Sequence, residues 1–210
     1  MTIKQKGFLP WLSNLWYHYK WQILLCSAAL IVGIICISSF FTQKSFDYNV
    51  AYIGSDTLAD TQIEAFSKAL AVYGEDIDKD GKVKINLQSY FIQGDGIAQS
   101  IAMADQMLVQ NDVDSGSSVI FILNKASYEH CQAAFHCFGY RDGSPAPDTA
   151  EIEELGVLVN GTSLFTKLAD AGINGNGLYI VLRSREGLKE SDLPRLEAAI
   201  KLVDKLTGNK

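Results

Sequence analysis

The stretch "SVIFIL", Ser118–Leu123, decides the fold of this chain. It is a short apolar run, and it lacks the polar alternation of a half-exposed strand. Strands of this kind lie at the centre of a sheet that helices cover on both faces. "LYIVL", Leu178–Leu182, has the same character. Together the two stretches predict a three-layer α/β domain.

Strands and helices alternate around these two stretches. "YNVAYIG", Tyr48–Gly54, predicts a strand, and "KVKINLQ", Lys82–Gln88, alternates as an edge strand does. Helical spacing of apolar residues occurs over residues 59–74, 97–110, 126–138, 163–172 and 192–206. This alternation predicts right-handed βαβ units and a mostly parallel sheet. Numbered along the chain, the four strands are expected in the flavodoxin-like order 2-1-3-4.

The helix predicted at residues 97–110 has an apolar stripe on one side. Its members recur at intervals of three and four residues and are Ile97, Ile101, Ala104 and Leu108. Residues at this spacing share one side of a helix. A further short strand is predicted at "GVLV", residues 156–159.

The first half of the domain resembles a known family. "YNVAYIGSDT", a helix, "VKINLQSYFI" and then a long helix leading into "SSVIFILN" resemble the first lobe of periplasmic solute-binding proteins, over about residues 47–125. The whole chain is similar in layout to small membrane-anchored proteins of Gram-positive bacteria. Solute-binding proteins close two lobes on a ligand, whereas this chain has room for one. The resemblance therefore implies a binding or interaction module beside a membrane partner such as a transporter.

Residues 21–41, "WQILLCSAALIVGIICISSFF", contain no charged side chain. A helix of this length rises about 30 Å, the thickness of the hydrocarbon core of a bilayer. This favours a single transmembrane helix over a buried core helix or a cleaved signal peptide. Lys4, Lys6 and Lys20 precede it, so the positive-inside rule places the N-terminus in the cytoplasm. The predicted divisions are a cytoplasmic or interfacial segment at residues 1–20, the membrane helix at 21–41, a linker at 42–46 and an extracytoplasmic domain at 47–210.

The charges of the chain are unevenly placed. All 24 acidic residues lie beyond residue 43, whereas three of the 18 basic residues precede it. The predicted domain is therefore acidic, and the phosphate backbone of a nucleic acid would repel it. We expect the bilayer and a membrane protein as partners, and no nucleic acid.

Polar residues follow the predicted strands at their carboxyl ends, where ligands bind in open α/β sheets. "GSDT" follows the first strand, "QGDG" the second, "NK" the third and "RSR", Arg183–Arg185, the last. The candidate ligand-binding residues are Ser55, Asp56, Thr57, Asp95 and Asn124. The alternative is local, because side chains of this kind also cap helices and shape turns.

An exported enzyme is the alternative function. It would use Asp56 and Asp95 together with His130 or His136. No G-x-S-x-G, H-E-x-x-H or P-loop motif occurs in the sequence. The sequence therefore identifies no catalytic residue and favours a protein without enzymatic activity.

The stretch "DIDKDGKV", residues 76–83, has the spacing of an EF-hand calcium loop, with a glycine at position 6. The candidate ligands of a Ca²⁺ ion are the carboxylates of Asp76, Asp78 and Asp80 and the backbone carbonyl of Lys82. Position 12 is Leu87, where an EF-hand has a bidentate glutamate. The loop is therefore either a weak calcium site or a polar turn between a helix and a strand.

Two histidine–cysteine pairs occur in "EHCQAAFHC", residues 129–137. Residues six positions apart in a continuous helix differ in direction by about 240° around the axis, so their side chains face apart. A Cys131–Cys137 disulfide or a metal site therefore requires that the helix ends before Cys137. A disulfide, a metal site and a pair of small half-buried cysteines remain the alternatives.

Overall fold

The computed structural model describes residues 8–41, 46–54, 56–92 and 97–208. The chain divides into two compact units, residues 1–44 and residues 45–210. The first unit contains one described helix, α1, and the second contains the sheet with its helices.

Helix α1 runs from Phe8 to Phe41 and includes the segment that the sequence predicts to span a membrane. Within the part of the chain that is described, no helix combines the length and the apolarity that a membrane crossing needs. The structure therefore gives the predicted span at residues 21–41 no support. Most of the linker predicted at residues 42–46 lies outside the described residues.

Strands and helices alternate through the second unit as predicted. The strands are β1 (Tyr48–Gly54), β2 (Ile85–Phe91), β3 (Ile120–Asn124), β4 (Phe138–Gly139), β5 (Val157–Leu158) and β6 (Leu178–Arg183). The helices are α2 (Asp60–Ala71), α3 (Ile97–Ser115), α4 (Lys125–Phe135), α5 (Ile152–Leu155), α6 (Ser163–Asp170) and α7 (Leu193–Thr207). Pro194 lies in the first turn of α7, where the missing N–H of proline costs no helical hydrogen bond.

Six strands of the described residues form one mixed sheet. Its order is β2-β1-β3-β6-β4, and β5 also pairs with β6. Strand β1 is parallel to β2 and to β3, so the predicted arrangement of the first three strands is confirmed. Strand β6 lies beside β3 as expected but is antiparallel to it. The prediction of a mostly parallel, flavodoxin-like sheet is therefore wrong in the direction of β6.

The direction of β6 follows from the short elements before it. Strands β4 and β5 pair along the other edge of β6, and both are antiparallel to it. They are therefore the segments that run parallel to β3 after helix α4. Strand β5 ends beside the start of β6, with Leu158 opposite Tyr179. The chain leaves β5 and enters β6 at the same end of the sheet, so β6 must run back.

Helices cover both faces of the sheet, which confirms the predicted three-layer arrangement. On one face Tyr48, Val50 and Tyr52 of β1 pack with residues of α2, α6 and α7. On the other face Ala51 and Ile53 pack with residues of α3, α4 and α5. Successive side chains of β1 point to opposite faces. Because both faces are covered, every residue of the strand except Asn49 and Gly54 is apolar, and only Asn49 is partly exposed.

Helix α3 packs on the core through a different side from the one that carries the apolar stripe identified in the sequence. Ile101, Ala104 and Leu108 of the predicted stripe are exposed, whereas Val109 on the other side is buried. The side chain of Ile97, the fourth member of the stripe, lies outside the described part of the structure. The side of α3 that packs on the sheet is therefore not the side that carries this stripe. The helix is apolar on two sides, and periodicity alone cannot choose between them.

Candidate functional site

A buried carboxylate connects the acidic loop to the sheet. Asp47 directly precedes β1 and is only 2% exposed. Its Oδ1 accepts hydrogen bonds from the N–H groups of Ile77 (2.7 Å) and Asp78 (3.2 Å), and its Oδ2 accepts one from the N–H of Lys84 (2.8 Å). These three donors offset the cost of burying a carboxylate. Asp47 therefore fixes the loop at residues 76–84 against the start of β1.

The backbone of the loop also donates hydrogen bonds to the carboxylates of the loop's own aspartates. Asp76 accepts hydrogen bonds from the N–H groups of Asp80 (3.2 Å) and Gly81 (2.7 Å), and Asp78 accepts one from Asp80 (3.1 Å). Lys79 and Gly81 have left-handed backbone, with φ of 59° and 89°. This conformation turns successive N–H groups toward the same carboxylates.

Asp47, Asp76 and Asp78 form a group that we call the acidic triad. Each offers one carboxylate oxygen, and the three oxygens lie within 4.8 Å of one another. Carboxylate oxygens are the ligands that Ca²⁺ and Mg²⁺ prefer, so the acidic triad could hold a metal ion. The Nζ of Lys84 lies 3.9 Å from Oδ2 of Asp78, and a bound cation would compete with this ammonium group.

The acidic triad differs from the ligand set that the loop spacing predicts. Asp80 pairs through its carboxylate with Nζ of Lys84 and accepts a hydrogen bond from the N–H of Lys82 (3.0 Å). The hydrogen bond to Asp80 raises the pKa of Lys84. Asp80 therefore forms an ion pair with Lys84, and Asp47 is the third member of the acidic triad in its place. The spacing of the loop residues cannot identify Asp47. An acidic residue directly before a mostly apolar strand is the signal in the sequence that could have identified it.

The carboxyl ends of β1, β2 and β3 meet at one edge, which we call the strand-end rim. Gly54 of β1 is opposite Phe91 of β2, and Ile53 of β1 is opposite Leu123 of β3. The acidic triad lies at the amino end of β1, the other end of the sheet. A ligand at the strand-end rim and an ion at the acidic triad would therefore not share a site.

The structure describes three of the five predicted ligand-binding residues. Asp56 and Thr57 follow β1 at the strand-end rim, and both are exposed. Asn124 caps helix α4, because its Oδ1 accepts a hydrogen bond (2.8 Å) from the N–H of the third helical residue. Ser55 and Asp95 lie outside the described residues. Asn124 thus has the local capping role, and ligand binding at this rim stays a prediction.

Tyr52 lies in the core near this rim. It is buried and packs edge-on against Phe66, with ring centroids 6.3 Å apart. Burial raises the pKa of its hydroxyl, and the charge of Asp56 raises that pKa further. Tyr52 is therefore neutral at physiological pH. The "RSR" segment, residues 183–185, lies at the opposite end of the sheet, contrary to expectation, because β6 is antiparallel.

The two histidines of the domain do not gather at the strand-end rim. The Nε2 of His130 lies 3.3 Å from the side-chain amide nitrogen of Gln106 on α3. The Nδ1 of His136 lies 2.9 Å from a carboxylate oxygen of Asp148. Helix α4 starts at the rim and His136 follows its last residue, so His136 lies at the far end. This arrangement argues against an acid–base pair of His136 and Asp56.

Helix α3 borders a surface groove that the sequence does not predict. The groove has a volume of about 570 Å³ and lies between α3 and α4. We call it the α3 groove, and its lining includes Met103, Gln106, Met107, Asp114, Ala134 and Phe135. Met107 is 75% exposed and the neighbouring Leu108 is 54% exposed. The signal in the sequence is that α3 carries apolar residues on both sides.

Comparison of the chain with models of protein families, with curated proteins and with solved structures finds no match in any of the three.

Proposed function

We propose that this protein is a membrane-anchored, extracytoplasmic binding or interaction module that acts beside a membrane protein such as a transporter. The exposed apolar side of α3 is the observation that carries the proposal. Four of its side chains have more than half of their surface exposed, and they are Ile101, Met103, Met107 and Leu108. A contiguous apolar surface on a soluble domain commonly marks a binding surface.

The chemistry of the α3 groove favours one kind of occupant. Met103 and Met107 are flexible and polarisable, so they adapt to the shape of a partner. Asp114 is the charged residue among the described lining residues and would attract a lysine or arginine. The occupant we propose is an amphipathic helix with basic residues at one end, from an extracytoplasmic segment of the membrane partner.

The proposed membrane anchor rests on the sequence of residues 21–41. This segment has no charged residue, and the described apolar side chains within it, such as Leu24, Leu25 and Leu30, are exposed. Exposed leucines of this density favour lipid over water. Washing native membranes at alkaline pH tests the anchor. Retention of the protein in the pellet is expected, and its release into the supernatant would contradict membrane anchoring.

Photo-crosslinking tests the partner. A photoreactive amino acid at Met107 should form an adduct with a membrane protein in native membranes. The matched control is the same probe at Val72, which is also apolar and exposed but follows α2, on the other face of the sheet. The same adducts from both positions, or adducts with the protein itself alone, would contradict the proposal.

For the acidic triad we propose Ca²⁺ as the ion and loop fixation as its effect. Extracellular calcium sites bind at roughly 10⁻⁴ to 10⁻³ M, and three carboxylates without a bidentate glutamate suit that range. Such an ion would tie the loop at residues 76–84 more firmly to β1. It would act on the scaffold and not on the α3 groove.

Calorimetric titration with calcium chloride tests the ion. We expect weak binding that Asp47→Asn and Asp78→Asn abolish. Asp80→Asn is the matched control, because Asp80 lies in the same loop but outside the acidic triad. An equal loss in all three variants would show that the loop charge and not the acidic triad attracts calcium.

A further inference from the structure

The end of helix α4 places two cysteines near each other. Cys131 lies on the buried side of α4 with Tyr128, and it is completely buried. The helix ends at Phe135, and His136 adopts a left-handed conformation (φ 48°, ψ 38°). This conformation stops the helix and turns the chain. The helix break that a bond between Cys131 and Cys137 requires is therefore present.

The segment that follows the turn, which includes Cys137 and Phe138, packs against the buried side of α4. The carbonyl of Cys137 accepts a hydrogen bond (2.8 Å) from the N–H of Ser184, which holds it next to the end of β6. The following residue, Phe138, has its ring 5.3 Å from that of Tyr128 and 5.2 Å from that of Phe121. Tyr128 and Cys131 are one turn apart on the buried side of α4, so the contact places the segment that contains Cys137 beside that side of the helix.

Two further observations agree with this closeness. Cys131 and Cys137 belong to the same buried apolar cluster. Burial raises the pKa of Cys131 to about 12, and the charge of Cys137 contributes to that increase. Both residues are free thiols in the structure.

We propose that Cys131 and Cys137 are a disulfide-forming pair that is oxidised by a small-molecule disulfide while the chain folds. One cysteine thiolate attacks the oxidant, forms a mixed disulfide and releases one thiolate of the oxidant. The second cysteine then attacks the mixed disulfide and releases the other thiolate. The protein loses two electrons and two protons, and the oxidant becomes two thiols. The new Sγ–Sγ bond links the last turns of α4 to β4.

The burial of the pair determines when the bond can form. Burial raises the pKa of Cys137 to about 12, and the nearby guanidinium of Arg183 lowers it only in part. Both thiols are therefore protonated and covered at neutral pH, and the thiolate is the reactive form. Oxidation should therefore be fast in the unfolded chain and slower in the folded protein. Once formed, the bond is protected from small reductants by the same burial.

Mass spectrometry of the full chain tests the pair without any mutation. The chain is unfolded, reduced and refolded with oxidised or reduced glutathione, and free thiols are then alkylated in denaturant. Trypsin cleavage after Lys125 and Arg141 places both cysteines in one peptide, residues 126–141, apart from Cys26 and Cys36. We expect this peptide to be lighter by two hydrogens and unalkylated after oxidative refolding, and doubly alkylated after reducing refolding.

Two outcomes would overturn the proposal. One is two alkyl groups on this peptide after oxidative refolding of a chain that has regained its folded circular-dichroism spectrum. The other is a bond from either residue to Cys26 or Cys36. Cys137→Ser is the control, because its remaining Cys131 has no neighbouring thiol to displace glutathione. Its peptide should carry one glutathione or one alkyl group after oxidative refolding, and it should never be lighter by two hydrogens. The proposal does not depend on a partner at the α3 groove, so the crosslinking experiment can fail while this one succeeds.

Discussion

Helices α7 and α3 show how differently two apolar helices of one domain can be used. In α7 the apolar stripe is buried, with Leu196, Leu202 and Val203 almost completely inaccessible. In α3 the described residues of the apolar stripe identified in the sequence are exposed, and a second stripe with Val109 packs on the sheet. The apolar residues of α7 therefore stabilise the core, whereas several apolar residues of α3 lie on the surface and contribute little to stability. The exposed apolar side of α3 is therefore the best candidate for a surface that binds a partner.

The largest test of this contrast is a pair of leucine substitutions. Leu202→Ala in α7 should lower the free energy of unfolding by about 2–5 kcal/mol, because Leu202 is 1% exposed and its loss leaves a cavity. Leu108→Ala in α3 should change that free energy by about 0.5 kcal/mol or less. Urea denaturation of both variants provides the measurement. Similar losses would show that the exposed side of α3 contributes to the core after all.

The end of α3 offers a second test. Arg183 of β6 is buried and donates a hydrogen bond through Nη2 to the carbonyl of Val113 (2.6 Å). Arg183→Met should cost about 1–3 kcal/mol, since it leaves a buried carbonyl without its charged donor. The exposed neighbour Arg185 is the matched control, and Arg185→Met should have little effect on the urea midpoint. Equal effects would mean that α3 does not depend on this contact with the sheet.

The third and smallest effect concerns pH. Asp112 lies on the buried side of α3, and burial raises the pKa of its carboxyl, although hydrogen bonds from Ser118 and the charge of Arg183 oppose the rise. The folded state then holds the proton more tightly than the unfolded state. The stability from this group is complete below the unfolded pKa near 4 and is lost as pH rises through the folded pKa.

Asp112→Asn removes this titration, whereas Asp114→Asn at an exposed position of the same helix does not. Each unit of difference between the folded and unfolded pKa corresponds to about 1.4 kcal/mol. Thermal unfolding from pH 4 upward should therefore show a flatter profile for Asp112→Asn than for the unsubstituted protein. A profile that stays unchanged in Asp112→Asn would contradict the assignment.

The candidate sites were accessible to sequence reasoning only in part. The loop spacing identifies Asp76 and Asp78, because ligands close in sequence follow a fixed pattern. It cannot identify Asp47, which joins them through the pairing of β1 with β2. The two cysteines could be recognised as a pair only if α4 ended before Cys137. The sequence has no proline or glycine between them that would predict this end of the helix. The left-handed His136 supplies it.

The sequence by itself determined most elements of this domain and the order of its first three strands. It did not predict β4, because the helix expected over residues 126–138 ends at Phe135. Hydrophobic periodicity and the apolar character of "VIFIL" are local properties, and local properties are read directly from the chain. Only the tertiary structure decided the direction of β6 and the side of α3 that meets the sheet. Both depend on residues far apart in sequence, since β5 sets where β6 begins and the sheet selects one of two apolar sides. Burial is a property of the packed whole, and an isolated segment does not contain it.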